Sequence, residues 1–197
     1  MTNEKSNVPD PNQDNWKRDC YDWLQMLTFV LVAVVMVFTF FGMVNSVVGS
    51  SMYPTLHDKD IMLAYRLGYT PAQGDVVVIR KESFMEEAIV KRVIATEGQT
   101  VDIDFAEGIV YVDGEALEED YIREPTYTAE GTEFPLTVPE GSIFVMGDNR
   151  NGSSDSRDYR LGSPDSRFGS LGMVDTDYVL GRAVCVVFPF SDFKSLL

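Results

Sequence analysis

The chain has 197 residues and a formal net charge of −15 at pH 7. This length accommodates one membrane anchor and one domain of about 150 residues. The acidic charge, without a basic stripe, argues against nucleic acid as a partner, because a phosphate backbone binds clustered lysine and arginine. With one histidine and two separated cysteines, the sequence has no recognisable metal or haem spacing and predicts no cofactor.

The first predicted element is a transmembrane helix at residues 23–46, based on the apolar run 24–44. Twenty-one helical residues span about 30 Å, the thickness of the hydrocarbon core of a bilayer. A buried core helix would show a polar stripe, and a cleavable signal peptide has only about 7 to 15 apolar residues. An uncleaved anchor is therefore favoured.

Basic residues flank this helix unevenly. Lys17 and Arg18 precede it, whereas the first basic residue after it is Lys59. The asymmetry predicts a cytoplasmic tail at residues 1–22 and an extracytoplasmic domain at residues 47–197. The chain is thus expected to be a single-pass protein of the cell membrane, with the lipid bilayer as a partner.

The extracytoplasmic region divides into short β-type runs separated by turn residues. Asp113 and Gly114 follow one run and are typical of a β-hairpin. The pattern predicts an all-β domain of short antiparallel strands, arranged as a sandwich or a partly closed barrel. The predicted strands are 61–65, 75–80, 88–95, 100–103, 109–112, 142–146 and 179–188.

A tandem duplication follows the predicted strand at residues 142–146. Residues 153–162 and 163–172 are identical at six of ten positions. Their glycine, serine and aspartate content predicts a duplicated loop at 153–172 rather than a repeat fold.

Ser51 is the candidate nucleophile. It lies in a 34-residue stretch, 23–56, that has no acidic or basic side chain, and it stands seven residues beyond Val44. Seven extended residues reach at most about 25 Å. Chemistry at Ser51 would therefore take place close to the lipid surface.

The single histidine, His57, is one candidate base. It lies only six residues from Ser51, whereas the members of a catalytic triad normally converge from separate parts of a fold. His57 is therefore interpreted as a surface residue.

Lys91 is the other candidate base. On a strand it would share a face with Ile89, Val93 and Ala95, while Arg92 points the other way. Burial against such a face lowers the pKa of a lysine and supplies a neutral amine that accepts a proton. On this pattern alone, a lysine that reaches water along an apolar surface is the favoured interpretation.

Three motifs that follow the anchor in order reverse that preference. They are 49–56 (Gly-Ser-Ser-Met-Tyr-Pro-Thr-Leu), 91–94 (Lys-Arg-Val-Ile) and 147–157 (Gly-Asp-Asn-Arg-Asn-Gly-Ser-Ser-Asp-Ser-Arg). Together they resemble bacterial type I signal peptidases, especially the single-anchor Gram-positive kind. The first and third motifs are specific to that family, and the second alone is not.

The resemblance implies a membrane-bound serine endopeptidase that removes N-terminal signal peptides from exported preproteins through an acyl-enzyme. In the implied Ser/Lys dyad, Ser51 attacks the scissile carbonyl and Lys91 is the general base. Ser153 is implied to hold the lysine amine by a hydrogen bond. The other implied supports are an ion pair of Asp155 and Arg157, with Asp148 and Arg150 in the same loop.

The resemblance also implies an oxyanion hole that includes the main-chain N–H of Ser51. Some relatives add a side-chain hydroxyl two residues before the nucleophile, but Gly49 occupies that position here. The second donor is therefore a backbone group or Ser50.

Preproteins with signal peptides are the expected substrates, and the protein-translocation machinery is an expected transient partner. An extended peptide could pair with a strand edge while shallow apolar pockets accept small residues at alternate positions. The candidate pocket residues are Val47, Val48, Met52, Ile89 and Val90.

The duplication leaves two candidates for the supporting serine. Ser153 has the family spacing, three residues after Arg150. For Ser163, the residues after the second copy look more like those that normally follow the family motif. We expect Ser153 to be the supporting residue.

Two other functions compete with a signal peptidase. A self-cleaving Ser/Lys protein of the SOS-repressor type would carry a DNA-binding module, for which the 22 residues before the predicted anchor are too few. A membrane-tethered, inert β domain that binds exported proteins is the second alternative, and an activity assay separates it from an enzyme.

Overall fold

The computed structural model describes residues 15–40, 42–81, 87–129, 131–158 and 172–196. The chain divides into two compact units after Phe40. Residues 1–14 of the predicted tail and residues 159–171 of the duplicated loop lie outside the described residues.

The first unit contains helix α1, Asn15–Phe40. Its residues 15–36 are exposed, and the stretch Asn15–Met36 is long and apolar enough to cross a bilayer on length and composition. The helix begins eight residues before the predicted bound of 23 and ends six residues before the predicted bound of 46. The helix includes the polar residues before the apolar run, and it ends before Gly42, a poor helix former. Residues Met43–Ser46 form a strand instead, because they pair with a later segment.

The second unit is built from antiparallel β-strands and short 3₁₀ helices. Its strands are β1 (Met43–Ser46), β2 (Ile61–Tyr65), β3 (Val76–Ile79), β4 (Ile89–Thr96), β5 (Thr100–Asp104), β6 (Ile109–Val112), β7 (Glu115–Ala116), β8 (Leu136–Thr137), β9 (Ser142–Met146), β10 (Val174–Asp175), β11 (Val179–Phe188) and β12 (Lys194–Ser195). The 3₁₀ helices are Arg150–Gly152, Thr176–Tyr178 and Phe190–Asp192.

These strands form two sheets. The larger has the order β1-β2-β11-β3-β4-β9-β10, with β12 paired to β11, and the smaller has the order β7-β6-β5-β8. The larger sheet curls into half of a barrel. The predicted all-β fold is confirmed, and each of the seven predicted strands is present with ends that differ by one residue at most.

The core of the larger sheet holds the candidate nucleophile segment in place. β3 is buried along its whole length, because both faces of this central strand are covered. The core cluster that includes β3 residues also contains Val47, Met52 and Leu56, which come from the chain between β1 and β2. Full burial of such side chains contributes about 1.5–3 kcal/mol each. Ser51 is thus fixed between two buried neighbours, Val47 and Met52.

Candidate active site

A cleft of about 320 Å³ lies where the β1–β2 connection, the start of β4 and the loop after β9 meet. Ser51 and Lys91 both line this cleft. Lys91 is 3% exposed and Ser51 is half-buried. Gly49, Ser50 and all five predicted pocket residues also line it: Val47, Val48, Met52, Ile89 and Val90.

Ser51 lies at the start of a tight turn. The main-chain N–H of Tyr53 donates to the carbonyl of Ser50 at 3.1 Å, and that of Leu56 donates to the carbonyl of Met52 at 2.8 Å. Gly49 has a φ of +86°, a value that disfavours a side chain. Hydrogen bonds and buried neighbours therefore set the backbone of the nucleophile segment before any substrate arrives.

Lys91 lies in β4 opposite Val77 of β3. Residues 90–95 of β4 are all buried, so both faces of the strand are covered at this point. Successive side chains of a strand point to opposite faces. Lys91 thus lines the cleft, while Arg92 contacts a different set of residues.

Arg92 forms a buried ion pair with Asp148. Its Nε and Nη2 donate to the two carboxylate oxygens of Asp148 at 2.8 and 2.7 Å, and its guanidinium lies 3.9 Å from the centre of the Tyr121 ring. Burial alone would lower the pKa of Arg92, but the hydrogen bonds and charge of Asp148 outweigh it and raise that pKa. This pair holds the loop after β9 against β4, the strand of Lys91.

Asp155 and Arg157 form a second buried ion pair. Arg157 donates from Nε and Nη2 to the two oxygens of Asp155, both at 2.8 Å, and neither side chain is exposed. Asp155 also accepts the N–H of Gly147 at 2.9 Å. The pair thereby joins the end of the loop after β9 to its beginning at Gly147.

Arg150 points to a separate partner. It pairs with Glu119 through both of its terminal nitrogens and donates to the hydroxyl of Thr126 at 2.9 Å. The two charged residues predicted to support the loop, Asp148 and Arg150, therefore anchor it in two directions. One contact reaches β4, and the other reaches the long connection between β7 and β8.

Asn149 ties the same loop to the nucleophile segment. Its main-chain N–H donates to the Ser51 carbonyl, and its Nδ2 donates to the Ser50 carbonyl, both at 3.0 Å. The C=O and N–H of a trans peptide point in opposite directions. The second bond therefore turns the Ser51 N–H away from Asn149 and fixes the Ser50–Ser51 peptide in one orientation.

Gly147 marks the closest approach of the loop to this segment. A Cβ atom at this position would lie 2.5 Å from the Ser51 carbonyl oxygen and in severe overlap with the Ser153 hydroxyl. Ser153 itself is buried, and its Oγ has no hydrogen-bond partner among the described residues. Its implied bond to Lys91 thus stays a prediction.

His57 does not line the cleft. It is half-exposed, and its ring meets that of Tyr53 edge-on at 5.3 Å between centroids. This geometry favours Lys91 over His57 as the partner of Ser51.

The cleft contains a serine and a buried lysine, and these residue types can support nucleophilic attack by the serine. Comparison with known proteins indicates the same class of chemistry. The family model described as signal peptidase, peptidase S26, matches residues 20–188. The chain belongs to this signal peptidase family. It is therefore a hydrolase of the serine protease class, and the resemblance deduced from the three motifs is confirmed.

Individual members of the signal peptidase family match along most of the chain. A signal peptidase I of Bacillus licheniformis is 32% identical over 204 aligned positions, which cover 98% of each chain. A probable signal peptidase I-1 of Synechocystis is 32% identical over 88% of this chain and 85% of its own. A crystal structure of a signal peptidase I from Enterococcus faecalis is 31% identical, covers 58% of this chain and 97% of that one, and superposes with a TM-score of 0.43.

Sequence reasoning assigned no role to several residues that organise this signal peptidase site. Arg92 stood beside Lys91 in the second motif, and Asn149 stood inside the third, but neither motif indicates the partner. Glu119 lies in an acidic run, 118–120, that looks like a solvated surface. Their partners are distant in sequence, so only the folded arrangement identifies them.

Proposed function

We propose that this chain removes signal peptides from exported preproteins with Ser51 as the nucleophile and Lys91 as the general base. The observation that carries the proposal is that both residues, which are forty positions apart, line one cleft in which Lys91 is almost fully buried. Lysine is rarely buried, and a strongly desolvated titratable group in a cleft is a candidate functional residue. Membership of the signal peptidase family supplies the substrate class.

The proposed reaction has two halves. Ser51 Oγ forms a bond to the scissile carbonyl carbon while its proton moves to the neutral amine of Lys91. The tetrahedral intermediate then collapses, the C–N bond breaks, and the lysine proton goes to the leaving amine nitrogen. A water molecule attacks the resulting acyl-enzyme with Lys91 as its base, and the acyl product leaves as Ser51 regains its proton.

The main-chain N–H of Ser51 is the proposed oxyanion donor. No described residue accepts a hydrogen bond from this N–H, and Asn149 holds the peptide that carries it in a fixed orientation. A preorganised donor of this kind can contribute about 3–4 kcal/mol to the transition state. Gly49 offers no hydroxyl, so Ser50 or a second backbone group would complete the hole.

The start of β4 is the proposed docking edge for the substrate. β4 pairs with β3 from Ile89 onward, but β9 pairs with it only from Arg92 onward. Residues 89–91 thus have one edge that no described strand occupies, and this edge borders the cleft. An extended peptide can add itself there as a strand, with Val47, Val48, Met52, Ile89 and Val90 as walls that suit small residues.

Helix α1 is the proposed membrane anchor, with the N-terminus in the cytoplasm and the β domain outside. The uneven placement of Lys17, Arg18 and Lys59 supports this orientation. Signal peptides leave the translocation machinery within the membrane, so we propose transient contact with that machinery and with the lipid surface.

The test is cleavage of a preprotein with an Ala-x-Ala site by the detergent-solubilised full chain. Ser51→Ala and Lys91→Ala should each abolish cleavage. Ser46→Ala and Lys194→Ala are matched controls, because each removes the same functional group outside the cleft, and neither should abolish cleavage. His57→Ala should retain most of the activity.

Loss of activity in the His57 variant, with an unchanged circular dichroism spectrum, would overturn the Ser/Lys assignment. Retention of cleavage by Lys91→Ala would do the same. If the unmodified chain binds preproteins but never cuts them, the inert binding domain becomes the better interpretation.

A further inference from the structure

Three side chains that could hold a metal ion converge on a face of the β domain outside the candidate cleft. They are His57, Asp60 and Asp192, and one ligand atom from each lies within 4.8 Å of the other two. We propose that these three residues bind one divalent transition-metal ion, with Zn²⁺ as the best match. This inference is independent of the peptidase assignment, because none of the three lines the cleft.

Strand pairing explains how residues so far apart in sequence come together. Phe188, at the end of β11, pairs with Ile61 at the start of β2. Asp60 directly precedes that start, and Asp192 closes the 3₁₀ helix that follows β11. The sheet itself therefore brings the two carboxylates to the same place.

The burial of the Asp60 carboxylate is the observation that indicates a cation. The side chain is only 2% exposed, and the hydrogen bond that it accepts comes from the N–H of His57 to Oδ2 at 2.9 Å. No lysine or arginine of the described residues pairs with it. Buried carboxylates are normally paired with a positive charge or bound to a metal.

The surrounding groups increase the need for a cation. The carboxylate of Asp192 lies beside that of Asp60, and two neighbouring negative charges repel each other. Among the described residues, the cluster's one nitrogen ligand is the imidazole of His57, whose Nδ1 lies 3.9 Å from Asp60 Oδ2. A divalent ion would neutralise both carboxylates and use that nitrogen.

The donor set selects the class of metal. One imidazole nitrogen with two carboxylate oxygens suits Zn²⁺ better than Ca²⁺ or Mg²⁺, which prefer oxygen ligands alone. Zinc–ligand bonds of about 2.0–2.2 Å need the donor atoms closer together than 4.8 Å. His57 is exposed and Asp192 is half-buried, so both side chains have room to close that gap around the fixed carboxylate of Asp60.

The bound ion would cross-link two segments of the chain. It would join the turn at residues 57–60, which follows the nucleophile segment, to the 3₁₀ helix Phe190–Asp192 near the C-terminus. His57 also contacts the ring of Tyr53. Metal binding is therefore expected to stabilise the turn at residues 57–60 rather than to take part in chemistry.

The experiment uses the full chain in detergent, purified without a polyhistidine tag and treated with a chelator. Co²⁺ serves as a spectroscopic substitute for Zn²⁺, and Zn²⁺ affinity is measured by competition. We expect one saturable site per chain and no thiolate-to-cobalt charge-transfer band. That band would instead indicate binding by the free cysteines, Cys20 and Cys185.

His57→Asn and Asp192→Asn are the diagnostic variants, because both positions are accessible and tolerate an amide. Each should weaken Zn²⁺ binding at least about tenfold, since removal of a ligand costs more than loss of a residue that merely orients one. Asp177→Asn is the matched control, because Asp177 also lies in a 3₁₀ helix but outside the cluster. It should bind like the unmodified chain.

Thermal unfolding provides a readout that depends on the ion alone. Zn²⁺ should raise the Tm of the unmodified chain and of Asp177→Asn, but not that of His57→Asn or Asp192→Asn. Absence of saturable binding would overturn the proposal. Asp60 would then have only a structural role, as the acceptor of the His57 N–H in the turn. Binding that survives unchanged in both diagnostic variants would overturn the proposal as well.

Discussion

The side-chain amide of Asn149 donates to the carbonyl of Ser50 at 3.0 Å and thereby sets the orientation of the peptide that carries the N–H of Ser51. The proposed nucleophile and the proposed oxyanion donor belong to the same residue. One hydrogen bond from a loop almost a hundred positions away therefore positions both groups. Asn149 acts through Ser51 and is a positioning residue.

Asn149→Asp removes this donor while keeping the size of the side chain. The carboxylate would face the Ser50 carbonyl without a hydrogen, which costs about 1–3 kcal/mol. We expect kcat to fall roughly ten- to a hundredfold with little change in KM, because the lost interaction affects the transition state more than the ground state. Steady-state cleavage of a signal peptide substrate measures both constants.

Asn151→Asp is the control for that variant. Asn151 also donates Nδ2 to a main-chain carbonyl at 3.0 Å, but its partner is Pro125. The acceptor bonds of its Oδ1 survive in aspartate. Comparable losses of kcat in the two variants would indicate a general effect on the loop instead of control of the Ser50–Ser51 peptide.

Lys91→Arg should be as inactive as Lys91→Ala. Arginine keeps the positive charge but cannot give up its proton at any ordinary pH, and a general base must be neutral. Activity of the arginine variant would exclude Lys91 as the base. Single-turnover cleavage at high enzyme concentration detects even weak residual chemistry.

The same requirement predicts a pH dependence for the unmodified chain. The protonated amine is inactive, so kcat/KM should rise with pH as Lys91 loses its proton. Because only the neutral amine accepts a proton, the rise should follow the deprotonated fraction of Lys91 in the folded chain. A profile that is flat from mildly acidic to alkaline pH contradicts the assignment.

The strands were predictable because alternating or continuous apolar runs are bounded by turn residues such as Asp113 and Gly114. β1 was not, because Met43–Ser46 continues the apolar run of the helix and only its pairing with β2 identifies it as a strand. β7, β8, β10 and β12 have two residues each, which is too short for any periodicity.

The dyad candidates could be deduced from the motifs, whereas the contacts that hold them could not. Ser51 and Lys91 were selected by the identity and order of the motifs, because the strand pattern alone favoured a lysine that reaches water. The partners of Arg92 and Asn149 depend on which distant segments meet, and neither spacing nor composition contains that information. Hydrogen bonds between distant segments are specified by the fold as a whole.

Gly147→Ala should inactivate the enzyme. The added Cβ would lie 2.5 Å from the Ser51 carbonyl oxygen, so the nucleophile segment has to move. A misplacement of about 1 Å can cost a hundredfold in rate. Gly181→Ala is the matched control, because its Cβ would lie 2.5 Å from the Tyr65 carbonyl, outside the cleft. Both should lower Tm, but only Gly147→Ala should lower kcat in the remaining folded enzyme.

Asp155→Asn should destabilise the domain by about 3–5 kcal/mol, because it removes a fully buried carboxylate that pairs with the Arg157 guanidinium. The Arg182–Asp75 pair is the comparison, since Arg182 is partly exposed. Arg182→Gln should cost less, because the Asp75 carboxylate that it leaves keeps its hydrogen bonds from the Tyr69 hydroxyl and the Ala72 N–H. Denaturant unfolding measures the loss of unfolding free energy in each variant. Equal losses would show that burial of the Asp155–Arg157 pair does not determine its contribution to stability.

The supporting serine can be assigned by comparing Ser153→Ala with Ser163→Ala. Ser163 lies outside the described residues, whereas Ser153 is buried, and its hydroxyl has no hydrogen-bond partner among the residues that the structure describes. Removing an unsatisfied buried hydroxyl should cost little or no stability.

If that hydroxyl instead holds the Lys91 amine during the reaction, Ser153→Ala should lower kcat by about tenfold or more while its unfolding curve stays unchanged. Ser163→Ala should affect neither quantity, because surface loops accept added length at only about 0.6 kcal/mol per doubling and the second copy is then an extension. A loss of kcat in Ser163→Ala with normal activity in Ser153→Ala would move the supporting residue ten positions along the chain.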